Sequence, residues 1–250
     1  MFKLAKYLKP FIGLIIAAIV LLFVQATADL SLPDYMSKIV NVGIQQHGIE
    51  NAVPEAVRQN QMDKLTLFMK ESEKNKVLDH YTLIDKTNSD YDRYVRDYPT
   101  LAKEPVFVLK GTNPSTIKQL NPIMGKAFLV VSGIEKMKSE AKGGQLNFNG
   151  QKIPANTDLF ALFKQMPSEQ RIKIANQSNK KFTALGENMI VQAASGAIKQ
   201  EYFALGMDTG KIQSDYILHV GMIMLLISLV SAVAIIIVGF LSSKAAAGLA

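Results

Sequence analysis

The sequence predicts a mainly α membrane protein, with two transmembrane helices flanking a mostly helical extracytoplasmic domain that holds a minor β element. Three observations predict it. Two long runs carry no charge when His219 is neutral, PFIGLIIAAIVLLFVQATA (10–28) and YILHVGMIMLLISLVSAVAIIIVGFLSS (216–243). Between them, apolar residues recur mostly at three- and four-residue spacing, the helical period. One stretch, QLNFNGQKI (145–153), carries an Asn-Gly hairpin signal instead.

Each apolar run is long enough to cross a hydrocarbon layer of ~30 Å, which takes about 20 residues. The first also has features of a secretory signal, with lysines ahead of it and ATA after it. Its apolar stretch exceeds the usual h-region of roughly 7–15 residues, which favours a span. The second run has no such rival. Lys3, Lys6 and Lys9 precede the first run and Lys244 follows the second, so both termini read as cytoplasmic. The middle then lies outside the cell membrane. Lys38, just past the first run, argues against this orientation.

In chain order, residues 1–9 (MFKLAKYLK) read as an interfacial helix, with its lysines on one side and Phe2, Leu4, Tyr7 and Leu8 toward lipid. The alternative is a frayed basic terminus that only sets topology. Residues 10–44 form the first transmembrane helix with an outer extension, broken and kinked at Pro33 and punctuated by Gly43 and Gly48. Residues 45–215 form the extracytoplasmic domain. Within it, 54–81 reads as a helix opening at Pro54, with Val57, Met62, Leu65, Phe68 and Met69 as its apolar stripe. SDYDRYVRDYP places Tyr91, Tyr94 and Tyr98 on one helix face, and VFVLK (106–110) is a strand. Further helices follow in NTDLFALFKQM, in PSEQRIKIANQSNKKFTAL with Ser168 as cap, and in ENMIVQAASGAIKQEYFALGMD. Residues 216–250 form the second transmembrane helix, running into the cytoplasm.

The charge of +7 reports orientation more than partners. Four of the 28 basic residues are the flanking lysines, which leaves 24 against 21 acidic residues in the rest of the chain. That balance, with four arginines in all, argues against a nucleic-acid surface. Zero cysteines exclude a disulfide framework, a thiol nucleophile and zinc sites that use Cys. No P-loop, G-x-G-x-x-G, H-E-x-x-H or G-x-S-x-G motif occurs. DKTNSDYDRYVR (85–96) fails as a calcium loop, because Asp90 stands where glycine is needed and Arg96 where the bidentate Glu belongs. The sequence therefore points to no catalytic residue, no metal site and no cofactor in this chain.

Candidate functional residues lie elsewhere. Gly13 and Ala17, Ser228 and Ala232, and Gly239 and Ser243 place small residues on common helix faces, which lets helices approach closely. Gln25, Ser228 and Ser231 are polar points suited to other helices rather than lipid. His219, near the outer end of the second span, reads as an interface anchor or a transport residue. The Tyr91, Tyr94 and Tyr98 face is core or a ligand face.

Two stretches carry a family resemblance. LSLPDYMSKIVNVGIQQHGI (30–49) resembles the first outer segment of ABC-type exporter permeases of Gram-positive bacteria. FLSSKAAAGLA (240–250) resembles the point where their second helix enters the cytoplasm, although SSK stands where a Ser-Arg pair is common. KLAKYLKPF is similar to their opening elbow helix. GMDTGKIQSDYIL (206–218) resembles the return to the membrane of the large outer domain that a subset of them carries. The resemblance implies an N-terminal part of a multidrug or peptide exporter, whose further helices and ATPase domain lie outside this chain. ATP and Mg would bind that domain, and the working unit would be a homo- or heterodimer. FLSSKAAAGLA, with no helix-stop signal, is then expected to be an interrupted helix. A two-span sensor and a chain-length-regulator type of scaffold are the other readings of this layout.

Overall fold

The apolar run that opens the chain forms one long helix, α1 (Ile12–Lys38), which passes into a π-helical stretch at Ile39–Gln45. This computed structural model describes residues 11–111, 113–140, 145–148, 151–154 and 157–248. The expected interfacial helix at 1–9 lies outside those residues, as do the last two residues of FLSSKAAAGLA. Pro33 does not break α1. It removes the N–H that would bond the Asp29 carbonyl, yet the helix continues through it. Long apolar helices tolerate such a loss when neighbouring groups re-satisfy the backbone. The chain turns out of the π-helical stretch where His47 and Gly48 take positive φ, 58° and 80°.

The chain divides into two units, one of residues 1–44 with 214–250 and one of 45–213. The first unit holds α1 and, from residue 214 onward, the last helix, α9 (Thr209–Ala247), which starts well before the charge-free run that signals it. Asp208 caps α9 by accepting from the Lys211 N–H at 2.9 Å. Both helices are long and apolar enough to cross a membrane. Several contacts join them. Ser231 donates to Asp29 at 2.6 Å, and Gly43 leaves room for the Ile217 side chain, which would lie 2.7 Å from a Cβ there. These pairings run in opposite directions along the two helices, so α1 and α9 are antiparallel.

The second unit is built on its own core. Its elements are β1 (Ala56–Arg58), α2 (Gln59–Thr66), α3 (Glu71–Asp79), β2 (Tyr81–Ile84), α4 (Tyr91–Asp97), a 3-10 turn at Pro99–Ala102, β3 (Val106–Leu109) and α5 (Pro114–Ser139). They continue through β4 (Gln145–Phe148), β5 (Gln151–Pro154), α6 (Leu159–Gln165), α7 (Ser168–Leu185) and α8 (Glu187–Leu205). The structure is mainly helical, 77% helix against 6% strand, in agreement with the expected class.

The single helix expected over 54–81 is corrected to four elements, β1, α2, α3 and β2. The reason is tertiary. β3 takes both short strands as antiparallel partners in the order β1-β3-β2, with Val57 opposite Phe107 and Leu83 opposite the same residue. Sheet pairing thereby overrides local helical preference. The apolar stripe is buried all the same, through Val57, Met62, Leu65, Phe68 and Met69. α3 starts afresh because the Lys70 N–H donates to the Glu73 carboxylate at 2.9 Å.

VFVL forms the expected strand, and β4 and β5 pair antiparallel with Phe148 opposite Gln151, while the Asn-Gly dipeptide between them lies outside the described residues. Asp158 caps α6 by accepting from the Phe160 and Ala161 N–H groups. The expected cap of α7 moves by one residue: Pro167 holds the N-cap position and Ser168 is the first helical residue. Arg171 donates to the carbonyls of Leu67, Phe163 and Met166, tying the α6–α7 junction to the end of α2.

The centre of the unit is the packing of α5 on α8, a pair that also contacts α7. Leu120, Met124, Phe128, Val131 and Ile134 of α5 face Val191, Ala194 and Ile198 of α8 in one continuous core. Gly125 permits the close approach, since a Cβ there would sit 2.6 Å from Ile190 Cγ2 and 3.2 Å from Ala52 Cβ.

Candidate functional site

The residues that the sequence singles out on the two long helices are dispersed. Gly13, Ala17, Ser228, His219 and Gly239 are exposed, and Gln25 is half-buried. Nothing lies within 4 Å of a Cβ built at Gly13 or Gly239. Ser228 satisfies its hydroxyl within its own helix, donating to the Met224 carbonyl at 2.9 Å. Ser231 alone of this set is buried, and its partner is Asp29.

Asp29 is a residue that the sequence reading did not single out. The available signal was its position as the first charge after an apolar run. Pro33 also leaves the Asp29 carbonyl without its helical donor, so this residue offers both a carboxylate and a carbonyl on one turn.

The tyrosine face is mainly a packing face. Tyr98 is buried, while Tyr91 and Tyr94 are half-buried against the core. The Tyr94 and Tyr98 rings stack with centroids 6.3 Å apart and 13° between planes.

The second unit brings together a cleft of about 620 Å³ that no sequence spacing announces. Its apolar wall includes Ile49, Val53, Leu109, Ile117 and Ile212. Its polar groups are Glu50, Asn51, Glu55, Lys118, Asn121 and Tyr202. Asn121, from α5, is 9% exposed and holds the floor together. Its Oδ1 accepts from the Ala52 N–H at 2.9 Å, and its Nδ2 donates to Asn51 Oδ1 at 3.3 Å. Replacing Asn121 by alanine strands a buried N–H and is expected to cost roughly 1–3 kcal/mol. Denaturant unfolding of the full chain in detergent micelles measures it.

Tyr202, from α8, reaches the same cleft and is 8% exposed. Its hydroxyl accepts from the Glu55 N–H at 3.1 Å. Tyr81 donates to the Pro54 carbonyl at 2.6 Å, so two tyrosines fix the Pro54–Glu55 backbone. Burial pushes the Tyr81, Tyr98 and Tyr202 phenols upward; the Glu55 carboxylate adds to the shift at Tyr98, while at Tyr202 the hydrogen bond from the Glu55 N–H offsets part of it. Glu55 itself is exposed over its surface, but its carboxyl is still raised from the usual value, first by lost hydration and then by Asp97.

A second cleft of about 870 Å³ gathers Lys64, Lys74, Lys138 and Lys164 with Asp63, Glu135 and Asp158. Its charges are partly spent internally: Lys64 pairs with Glu135 at 2.8 Å and lies over the Phe160 ring. Among the described residues, no three His, Asp or Glu side chains form a group that could hold a metal ion.

Taken as a class, the chain carries two membrane-length helices and a separately cored helical unit with two small sheets. Comparison with protein-family models, with curated proteins and with solved structures gives no match.

Proposed function

We propose that this chain is the N-terminal membrane-spanning portion of an ATP-driven exporter permease of the ABC type, moving drugs, lipids or peptides out of the cell. In this reading both termini lie in the cytoplasm and residues 45–213 stand outside the cell membrane. The observation that carries it is the bracketing of one self-cored polar unit by two helices long enough to cross a bilayer.

The surfaces of those helices add support. Phe23 and Ile236 are each 71% exposed and Phe240 is 65% exposed, areas that need lipid or further helices to cover them. The uncovered small-residue faces at Gly13 and Gly239 suit close helix packing. The chain has no P-loop, so ATP and Mg bind an ATPase domain supplied from outside residues 1–250, and the chain alone is not an ATPase. Closure of paired ATPase domains would drive the helix bundle between inward- and outward-facing states. The lipid bilayer, the remaining permease helices and a second permease half are its partners.

Cross-linking in native membranes tests this. Assemblies are identified through the peptide VLDHYTLIDK (77–86) and searched for P-loop peptides. Their presence in the cross-linked species is the expected result. Assemblies that contain none overturn the exporter reading in favour of a sensor or a scaffold.

A further inference from the structure

The cleft floored by Asn121 has a charge pattern that selects a ligand. Glu50 and Glu55 stand on its wall, and Asp97 adds negative charge next to Glu55. None of these three carboxylates has an ion-pair partner among the described residues. All three are exposed, so a cationic group can reach them, and charge-assisted hydrogen bonds to a carboxylate are the strong ones.

The cleft also offers donors. The Tyr202 hydroxyl already accepts from the Glu55 N–H, and its own proton has no acceptor among the described residues. This side chain is more than nine-tenths buried and lines the cleft, so its free donor lies where a ligand oxygen can take it. Lys118 supplies a second donor from α5. Ile49, Ile117 and Ile212 supply apolar surface for the body of the ligand.

We propose that this cleft binds a protonated amine with an apolar body and a carbonyl beside the amine, the chemistry shared by an amino-acid amide and a peptide N-terminus. Glu55 and Glu50 take the ammonium, and the Tyr202 hydroxyl donates to the carbonyl. The site belongs to the 45–213 unit and does not depend on the exporter reading.

The test uses the full chain in lipid nanodiscs, with binding followed by saturation-transfer NMR. Leucinamide is the probe and N-acetyl-leucinamide is its neutral control, with the same apolar body and carbonyl. Leucinamide is expected to bind, with the control about tenfold weaker. Glu55→Gln is expected to weaken leucinamide by about the same factor. This substitution leaves the Glu55 N–H bond to Tyr202 in place, and hydrogen exchange of the unit checks that it stays folded. Glu50→Gln is the second variant should the first unfold. Leucyl-glycyl-glycinamide separates the sources: equal binding assigns a peptide N-terminus, and much weaker binding assigns a free amino amide, both within the proposal. Equal binding of leucinamide and its acetylated control overturns it, as does undiminished binding by a folded Glu55→Gln or Glu50→Gln chain.

Discussion

Replacing Glu201 by alanine is expected to destabilise the 45–213 unit by roughly 1–3 kcal/mol, the cost of leaving the Arg58 N–H and its part-buried guanidinium without their acceptor. Glu201 is 2% exposed on α8 and receives three different donors of one residue. The Arg58 backbone N–H donates at 2.8 Å, its Nε at 3.0 Å and its Nη2 at 2.7 Å. This hydrogen bonding is the first cause that raises the Arg58 guanidinium further above its already high value. Arg58 also ends β1 and precedes α2, so the pair ties the sheet edge to α8 and sets where strand gives way to helix. Glu104 stands 3.7 Å from the same guanidinium but is half-open to water and cannot replace the lost carboxylate. Denaturant unfolding of the full chain in micelles reads the loss. A change under about 1 kcal/mol would mean that the pair behaves as a surface ion pair. The double replacement Arg58→Met with Glu201→Leu is expected to recover only part of the stability, because apolar side chains can match an ion pair while the backbone N–H at position 58 still loses its acceptor.

Phe128→Ala is the second large effect, expected at roughly 3–5 kcal/mol. Phe128 is fully buried on α5 and belongs to the core that α5 shares with α8. Removing its ring takes away apolar burial and leaves a cavity between two long helices that cannot both move inward. The packing of Gly125 against Ile190, already at the limit of approach, restricts that movement. The same unfolding experiment measures it, and a loss below about 1.5 kcal/mol would show that the core collapses around the gap.

α5 is also the element that sequence reading missed altogether. Its apolar positions Leu120, Met124, Phe128, Val131 and Ile134 do keep a helical spacing. Pro122 inside the helix and the glycines at 125 and 133 obscure it, because each argues against helix on local grounds. In the fold these residues have tertiary reasons, as Gly125 shows. The two apolar helices were legible because length and the absence of charge need no partner to be read. β1 and β2 were not, since three or four residues become strands only when β3 lies between them. The cleft was invisible for the same reason: Glu55, Asn121 and Tyr202 converge from three elements and share no motif. The Asp29–Ser231 contact joins residues 202 positions apart and could be anticipated only as two polar groups in need of company.

The central claim is that α1 and α9 cross a membrane with residues 45–213 on its outer side. The chain contains no cysteine, so a single introduced thiol reports without background. Ser72, exposed on α3, and Ser243, exposed near the end of α9, are suitable positions. On intact cells, a membrane-impermeant maleimide is expected to label Ser72→Cys fully and Ser243→Cys only after lysis. Labelling of Ser243→Cys on intact cells, or protection of Ser72→Cys until lysis, would contradict the account.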